Sequence, residues 1–187
     1  ALRHGCHATG HSRARNLREE AIWLARVAAA LAPAEPEAAG LLALMLYAPA
    51  RRDARRDAGG RFAPLSEQDT AAWDHAAIDE AESRLAAAAK LGRPGRFQLE
   101  AAIQSAHAAR RRIGATDWPA IAALYDALLA LTGSPVVAVN RAVAISRAHG
   151  VEVGLKALDA IAAEAGRGEF QAYWAARADL EALAGLS

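Results

Sequence analysis

The residues best equipped for chemistry lie between positions 49 and 74. Arg51, Arg52, Arg55 and Arg56 are interleaved with Asp53 and Asp57, and Gln68, Asp69, Trp73 and Asp74 come after a Gly-Gly pair and Pro64. Guanidinium groups fork onto carboxylates and phosphates, so such a cluster can hold an anion. It can equally pair with nearby aspartates, on adjacent helical turns or through Asp69 and Asp74. That pairing would fix irregular backbone whose polar groups need partners. The second use is the expectation adopted: an ordered polar connector pinned by Arg–Asp pairs, in which Arg52→Ala destabilises the fold. Trp73, close to two aspartates, is expected at a partner-facing edge.

Other reactive residue types are scattered. The segment HGCHATGH carries His4, Cys6, His7 and His11, all zinc-binding types, but no second ligand pair of tight spacing lies downstream. A solvated junction without metal is expected there. His107, Tyr125 and Asn140 fall beside apolar helical stripes. A lone helical histidine is usually a packed, hydrogen-bonded residue rather than a base, and no Ser or Cys nucleophile stands in a recognisable motif with it. Trp118, Tyr173 and Trp174 read as core or groove aromatics. No catalysis and no cofactor are expected.

The chain that must position these residues has 187 residues, 53% hydrophobic, 23% charged and 5% aromatic. That composition is globular and excludes disorder. A net charge of +1 supplies no basic field for nucleic acid. The single cysteine, Cys6, rules out an internal disulfide and fits a cytoplasmic setting. The most apolar run, residues 40–49, falls well short of the roughly 20 residues a membrane span needs. Residues 1–12 resemble no signal peptide and read as a flexible, Gly-broken junction.

Helical periodicity dominates the chain beyond residue 12. Leu17, Ala21, Leu24, Ala28 and Leu31 form one apolar stripe of the kind that faces a core, in a helix from Ser12 to Ala32. Pro33 stops it, and Pro36 suits the first turn of a second helix, Glu35 to about Ala48, apolar nearly all round. Residues 13–50 are thus a first helix pair, and 51–68 the connector. Ser66-x-x-Asp69 resembles the start of a third helix running to about Lys90 with Trp73, Ile78, Ala81 and Leu85. With a helix from Phe97 to Arg110, it fills a central segment, 69–116. Thr116 or Asp117 caps a fifth helix, Gly133-Ser134-Pro135 opens a sixth, and two more come after His149-Gly150, the last from about Glu169 to Leu183. No period-two run supports a strand, so the expected class is all-α.

Repetition organises residues 117–187. Asn140 aligns with Trp174, Ala138 with Ala172 and Ala142 with Ala176, each at an offset of 34 residues, with GVEVGLKALDAI between as the second helix of a helix–turn–helix unit. That spacing suggests a tetratricopeptide-like, right-handed array of antiparallel helix pairs with an irregular central insertion, all in one domain.

Several segments together resemble the C-terminal extension of a group of bacterial extracytoplasmic-function RNA polymerase sigma factors. Arg51-Arg52-x-x-Arg55-x-Asp57 precedes Gln68-Asp69-x-x-x-Trp73-Asp74; FQLEAAIQSAHA with His107, TDWPAIAALYDALL with Trp118 and Tyr125, and SPVVAVNRAVA with Asn140 and Arg141 come next in order. The resemblance covers roughly residues 17–183. It implies a regulatory interaction module that contacts the sigma core regions, RNA polymerase or a regulator, touching neither nucleic acid nor membrane. Nothing in this chain resembles promoter-melting helices or a helix-turn-helix, and HGCHATGH departs from the family's Phe-Asn-Glu-Gly-Tyr segment. The residues themselves also admit an alternative, a helical sensor of a small anionic ligand.

Overall fold

A computed structural model describes the backbone of residues 6–57, 59–165 and 171–185, and the side chains of 16–57, 59–161 and 171–185. The fold is all-α: among the described residues the one extended pairing is an isolated antiparallel bridge between Arg56 and Phe62. Where one domain is expected, the chain divides into two compact units, Ala1–Gln98 and Leu99–Ser187.

In the first unit α1 (Cys6–Leu31) and α2 (Pro36–Ala50) form the expected pair. Residues 6–12, expected as a flexible junction, are helical. No proline interrupts them, and Gly10 costs a helix interior only about 1 kcal/mol. A second correction concerns orientation. Leu17, Leu24 and Leu31 are exposed, whereas Ala25, about 100° round the helix from Leu24, is buried. The stripe that periodicity sets toward a core therefore looks outward. Arg26 fixes this rotation by forking onto Glu80 of α3 at 3.0 and 2.7 Å.

α2 is central, as its all-round apolar character predicts. Leu42, Ala43, Leu46 and Tyr47 are buried, and α2 packs on both α1 and α3 (His75–Ala89). Gly40 sits where α2 crosses the start of α4 (Arg96–Ala108): a Cβ there would lie 2.7 Å from the Gln98 amide nitrogen. Only glycine allows that approach.

In the second unit the remainder of α4 leads to a short α5 (Arg110–Ile113), α6 (Trp118–Thr132), α7 (Pro135–His149), α8 (Val151–Ala165) and α9 (Gln171–Leu183). The helix expected to reach Arg110 stops at Ala108. Asp117, not Thr116, caps α6 by accepting the Ala120 amide at 3.0 Å. Gly133, at φ 59°, turns the chain into α7, a left-handed conformation glycine adopts without strain. Ile103, Ile121, Leu128 and Ala144 form one core cluster. Val139, Ala142, Leu158, Tyr173 and Leu180 form another, where α7, α8 and α9 pack mutually. The expected start of the last helix at Glu169 lies outside the described residues.

Candidate functional site

Hydrogen bonds other than the expected Arg–Asp pairs set the connector's course. After α2, a 3-10 turn (Asp53–Arg55) leads through the Arg56–Phe62 bridge to a second 3-10 turn (Thr70–Ala72) that touches the first. The connector thus extends through Asp74, and the helix expected from Ser66 begins only at His75. Two successive aspartates explain the delay. Asp69 accepts the Ala71 amide at 2.9 Å and Asp74 the Ala77 amide at 3.0 Å, each ending one run of backbone and starting another.

These two carboxylates serve backbone amides rather than arginines. Asp57 pairs with an arginine outside the expected set: its two oxygens accept the amide of Arg61 at 2.9 Å and the Arg61 Nε at 2.9 Å. Those bonds hold the Asp57 carboxyl below its ordinary value. Arg55 donates to the Ala48 carbonyl at 3.0 Å and Arg56 to the Gly60 carbonyl at 2.7 Å, so the arginines pin the loop through carbonyls. Arg51 is half-buried. Desolvation, aided by the neighbouring charge of Arg55, lowers its affinity for its proton. Arg52 lies exposed, and its side chain makes no cap to the turn that it precedes. The structural pin assigned to Arg52 is therefore corrected.

Trp73 is corrected as well. It is 3% exposed, in the connector rather than in a helix, and so is an anchor and not a partner-facing edge. Gln68 is likewise buried, donating from Nε2 to the Ala63 carbonyl at 3.1 Å. The amide of Asp74 donates to the Ala50 carbonyl at 2.8 Å, joining the end of the connector to the end of α2. Of the sequence-flagged polar groups here, Gln68 is buried and Arg51 half-buried, while Arg52, Asp53, Arg55, Arg56, Asp57, Asp69 and Asp74 are exposed.

The second unit gathers the other flagged residues into two places. His107 meets Trp118 edge-on, ring centroids 5.4 Å apart, and Trp118 and Tyr125 pack against the Ile103–Ile121 cluster. Burial, with the charge of Glu100, pushes the Tyr125 phenol above its ordinary value. Asn140 is exposed on α7, and the adjacent Arg141 pairs with Asp126 of α6. Arg141 also borders a groove of about 500 Å³ lined by Leu129, Pro135, Ala138, Ala157 and Ile161. Ala138, which lines this groove, is one of the alanines of the repeat pattern, a usable signal in the sequence. Arg61 carried no such signal. Among the described residues no group of His, Cys, Asp and Glu could hold a metal, and HGCHATGH lies outside the described side chains. No helix among them is long and apolar enough to cross a membrane.

Fold and site define a helical protein whose polar residues anchor a connector and rim a groove. Residues 4–89, just under half of the chain, match a family of unknown function (DUF6596). An uncharacterized protein of Rhizobium meliloti (strain 1021) is 45% identical over 140 residues, which cover 75% of this chain and 33% of that protein. The chain thus matches about a third of that relative's length. No solved structure matches.

Proposed function

We propose that this chain is a regulatory, protein-binding domain of a bacterial extracytoplasmic-function sigma factor, modulating transcription initiation through contacts with the sigma core regions or RNA polymerase. The observation that carries the reading is the ordered motif set, from Arg51-Arg52-x-x-Arg55-x-Asp57 to Asn140-Arg141. Its first half builds one continuous connector between α2 and α3. A catalytic loop would leave reactive groups poised in a cleft. Here the aspartates and Gln68 are committed to backbone bonds.

The tetratricopeptide-like reading of residues 117–187 draws support from exposure. Asn140 and Trp174, 34 residues apart, are both exposed, and Ala138 and Ala172 are both half-buried. Stacked helix pairs of this kind offer a groove to a protein segment. The groove beside Arg141 and the exposed Arg52 are the surfaces assigned to contact. DNA reading falls to other regions of a longer polypeptide, in keeping with a relative about three times the length of the matched stretch. No nucleic-acid contact, cofactor or enzymatic step is assigned to this chain, and a cytoplasmic location goes with the reading.

Capture of purified sigma core regions and of RNA polymerase on the immobilised chain is the direct test. Binding is expected, weakened by Arg52→Glu or Arg141→Glu with unchanged melting. Failure to retain either partner sinks the reading. So would the absence of promoter-melting helices and a helix-turn-helix from the rest of the Rhizobium meliloti relative.

A further inference from the structure

Helices α6 and α8 pack chiefly on α7 rather than on each other, and a groove runs along α7 between them. Pro135, Ala138 and Arg141 line it from one side of α7, over about 9 Å of helix. Leu129 stands on the α6 wall, and Ala157 and Ile161 on the α8 wall. The small side chains of Ala138 and Ala157 leave space that larger ones would fill. The volume, about 500 Å³, suits a small organic molecule.

Charge then selects among such molecules. Arg141 is the one charged residue in the lining. Its Nε donates to Asp126, which fixes the guanidinium, while its two Nη nitrogens have no acceptor among the described residues. The side chain is only 34% exposed, so this open edge is partly screened from water. At the Pro135 end, Ser134 occupies the cap position of α7 but makes no side-chain bond to the first-turn amides. The partial positive charge of that helix start is left unmatched and disfavours a cation. With one fork and no second cation in the lining, the match is to a single carboxylate.

We infer that the groove binds a small amphipathic carboxylate, its head forked by the Nη edge of Arg141 and its hydrocarbon body laid along Ala138 between Leu129 and Ile161. This site stands without the sigma assignment. On that assignment, the carboxylate competes with the protein segment for one groove.

Calorimetry and amide NMR of the full chain with butyrate, hexanoate, octanoate and decanoate test it, with no sigma partner present. Affinity is expected to rise roughly two- to fourfold per added CH2, with shifts centred on Leu129, Ala138, Ala157 and Ile161. Arg141→Gln should weaken octanoate roughly tenfold and leave octanol unchanged, with an unaltered circular dichroism spectrum. Ala160→Trp, at the exposed rim, should block both ligands by filling the groove. A chain that binds none of the four acids overturns the proposal. Shifts centred on the exposed leucines of α1 overturn it too, since the ligand then lies elsewhere. Arg141→Gln that binds octanoate as well as the parent chain, or loses octanoate and octanol equally, removes the carboxylate fork and with it the assignment.

Discussion

Glu37, in the first turn of α2, caps the start of α4 across 61 residues of chain: one carboxylate oxygen accepts the Gln98 amide at 3.1 Å. Its other oxygen accepts the Phe97 amide at 2.9 Å. Two amides that α4 cannot satisfy internally are thereby served by one side chain. Gln98 returns a bond of its own, from Nε2 to the Arg93 carbonyl at 2.9 Å, which holds the preceding turn. Replacing Glu37 with Ala strands both amides and should cost about 1–2 kcal/mol of stability. Urea unfolding is the measurement. Glu37→Gln retains one acceptor oxygen and should lose less. Equal losses for the two variants would mean that the second acceptor oxygen and the charge, which the isosteric amide lacks, set the cost, and packing does not.

The same crossing makes a prediction about sign. In an exposed helix interior, Gly→Ala stabilises by roughly 0.5–1 kcal/mol. At Gly40 a Cβ would stand 2.7 Å from the Gln98 backbone nitrogen, and at Gly154 it would stand 2.4 Å from the Ser146 Cβ. Backbone has no rotamer with which to yield at Gly40. Gly40→Ala and Gly154→Ala should each destabilise, by about 1–3 kcal/mol. A rise in midpoint denaturant for either would show that its helix pair has slack to separate.

The Asp57–Arg61 turn predicts a pH response. Bonds from the Arg61 amide and guanidinium hold the folded Asp57 carboxyl below its ordinary 3.8, so ionisation is favoured more in the folded chain than in the unfolded one. The contribution is therefore present above about 3.8 and is lost as pH falls through the lower folded value. In a carboxyl-carbon NMR titration, Asp57 should titrate below 3.8, and Arg61→Ala should move it back toward that value. An unmoved midpoint would mean that the Arg61 side chain contributes nothing to the turn.

Caps and breakers made most of the fold legible. Pro33, Pro36, Asp117 and Gly133 end or begin helices as their local chemistry requires, because a missing N–H, a carboxylate acceptor or a left-handed turn acts within a few residues. Failures arose where a local signal has two solutions. The Leu17–Leu31 stripe fixes a period but not which side meets the core; the side that carries Ala25 is the one that is buried. Ser66-x-x-Asp69 looks like a helix start, but Asp69 caps only a 3-10 turn, and the α-helix begins after Asp74. In the candidate site, the connector's bonds are not the ones expected. Asp69 and Asp74, expected to pair with arginines, take backbone amides, and Asp57 takes Arg61 from outside the expected set, since a turn through Gly59-Gly60 brings that arginine back to it.

In the second unit Arg177 gathers three partners: Asp159 of α8 at 2.6 Å, Glu181 at 2.8 Å and the Tyr173 hydroxyl at 3.0 Å. The bond that Arg177 donates to Asp159 leads in raising the guanidinium's hold on its proton. The Asp159 contact joins α8 to α9, while the Glu181 contact lies one turn along α9. The side chain is partly solvent-exposed, so screening limits the gain, and Arg177→Ala should cost only about 0.5–1 kcal/mol in thermal or urea unfolding. Geometry sharpens the test. A planar fork can reach two carboxylates and a hydroxyl at once, whereas an ammonium on a flexible stem cannot hold that arrangement. Arg177→Lys should therefore recover less than half of the loss despite keeping the charge. Full recovery by lysine would show that α9 is held by charge alone, and that the fork between Asp159 and Glu181 carries no energy of its own.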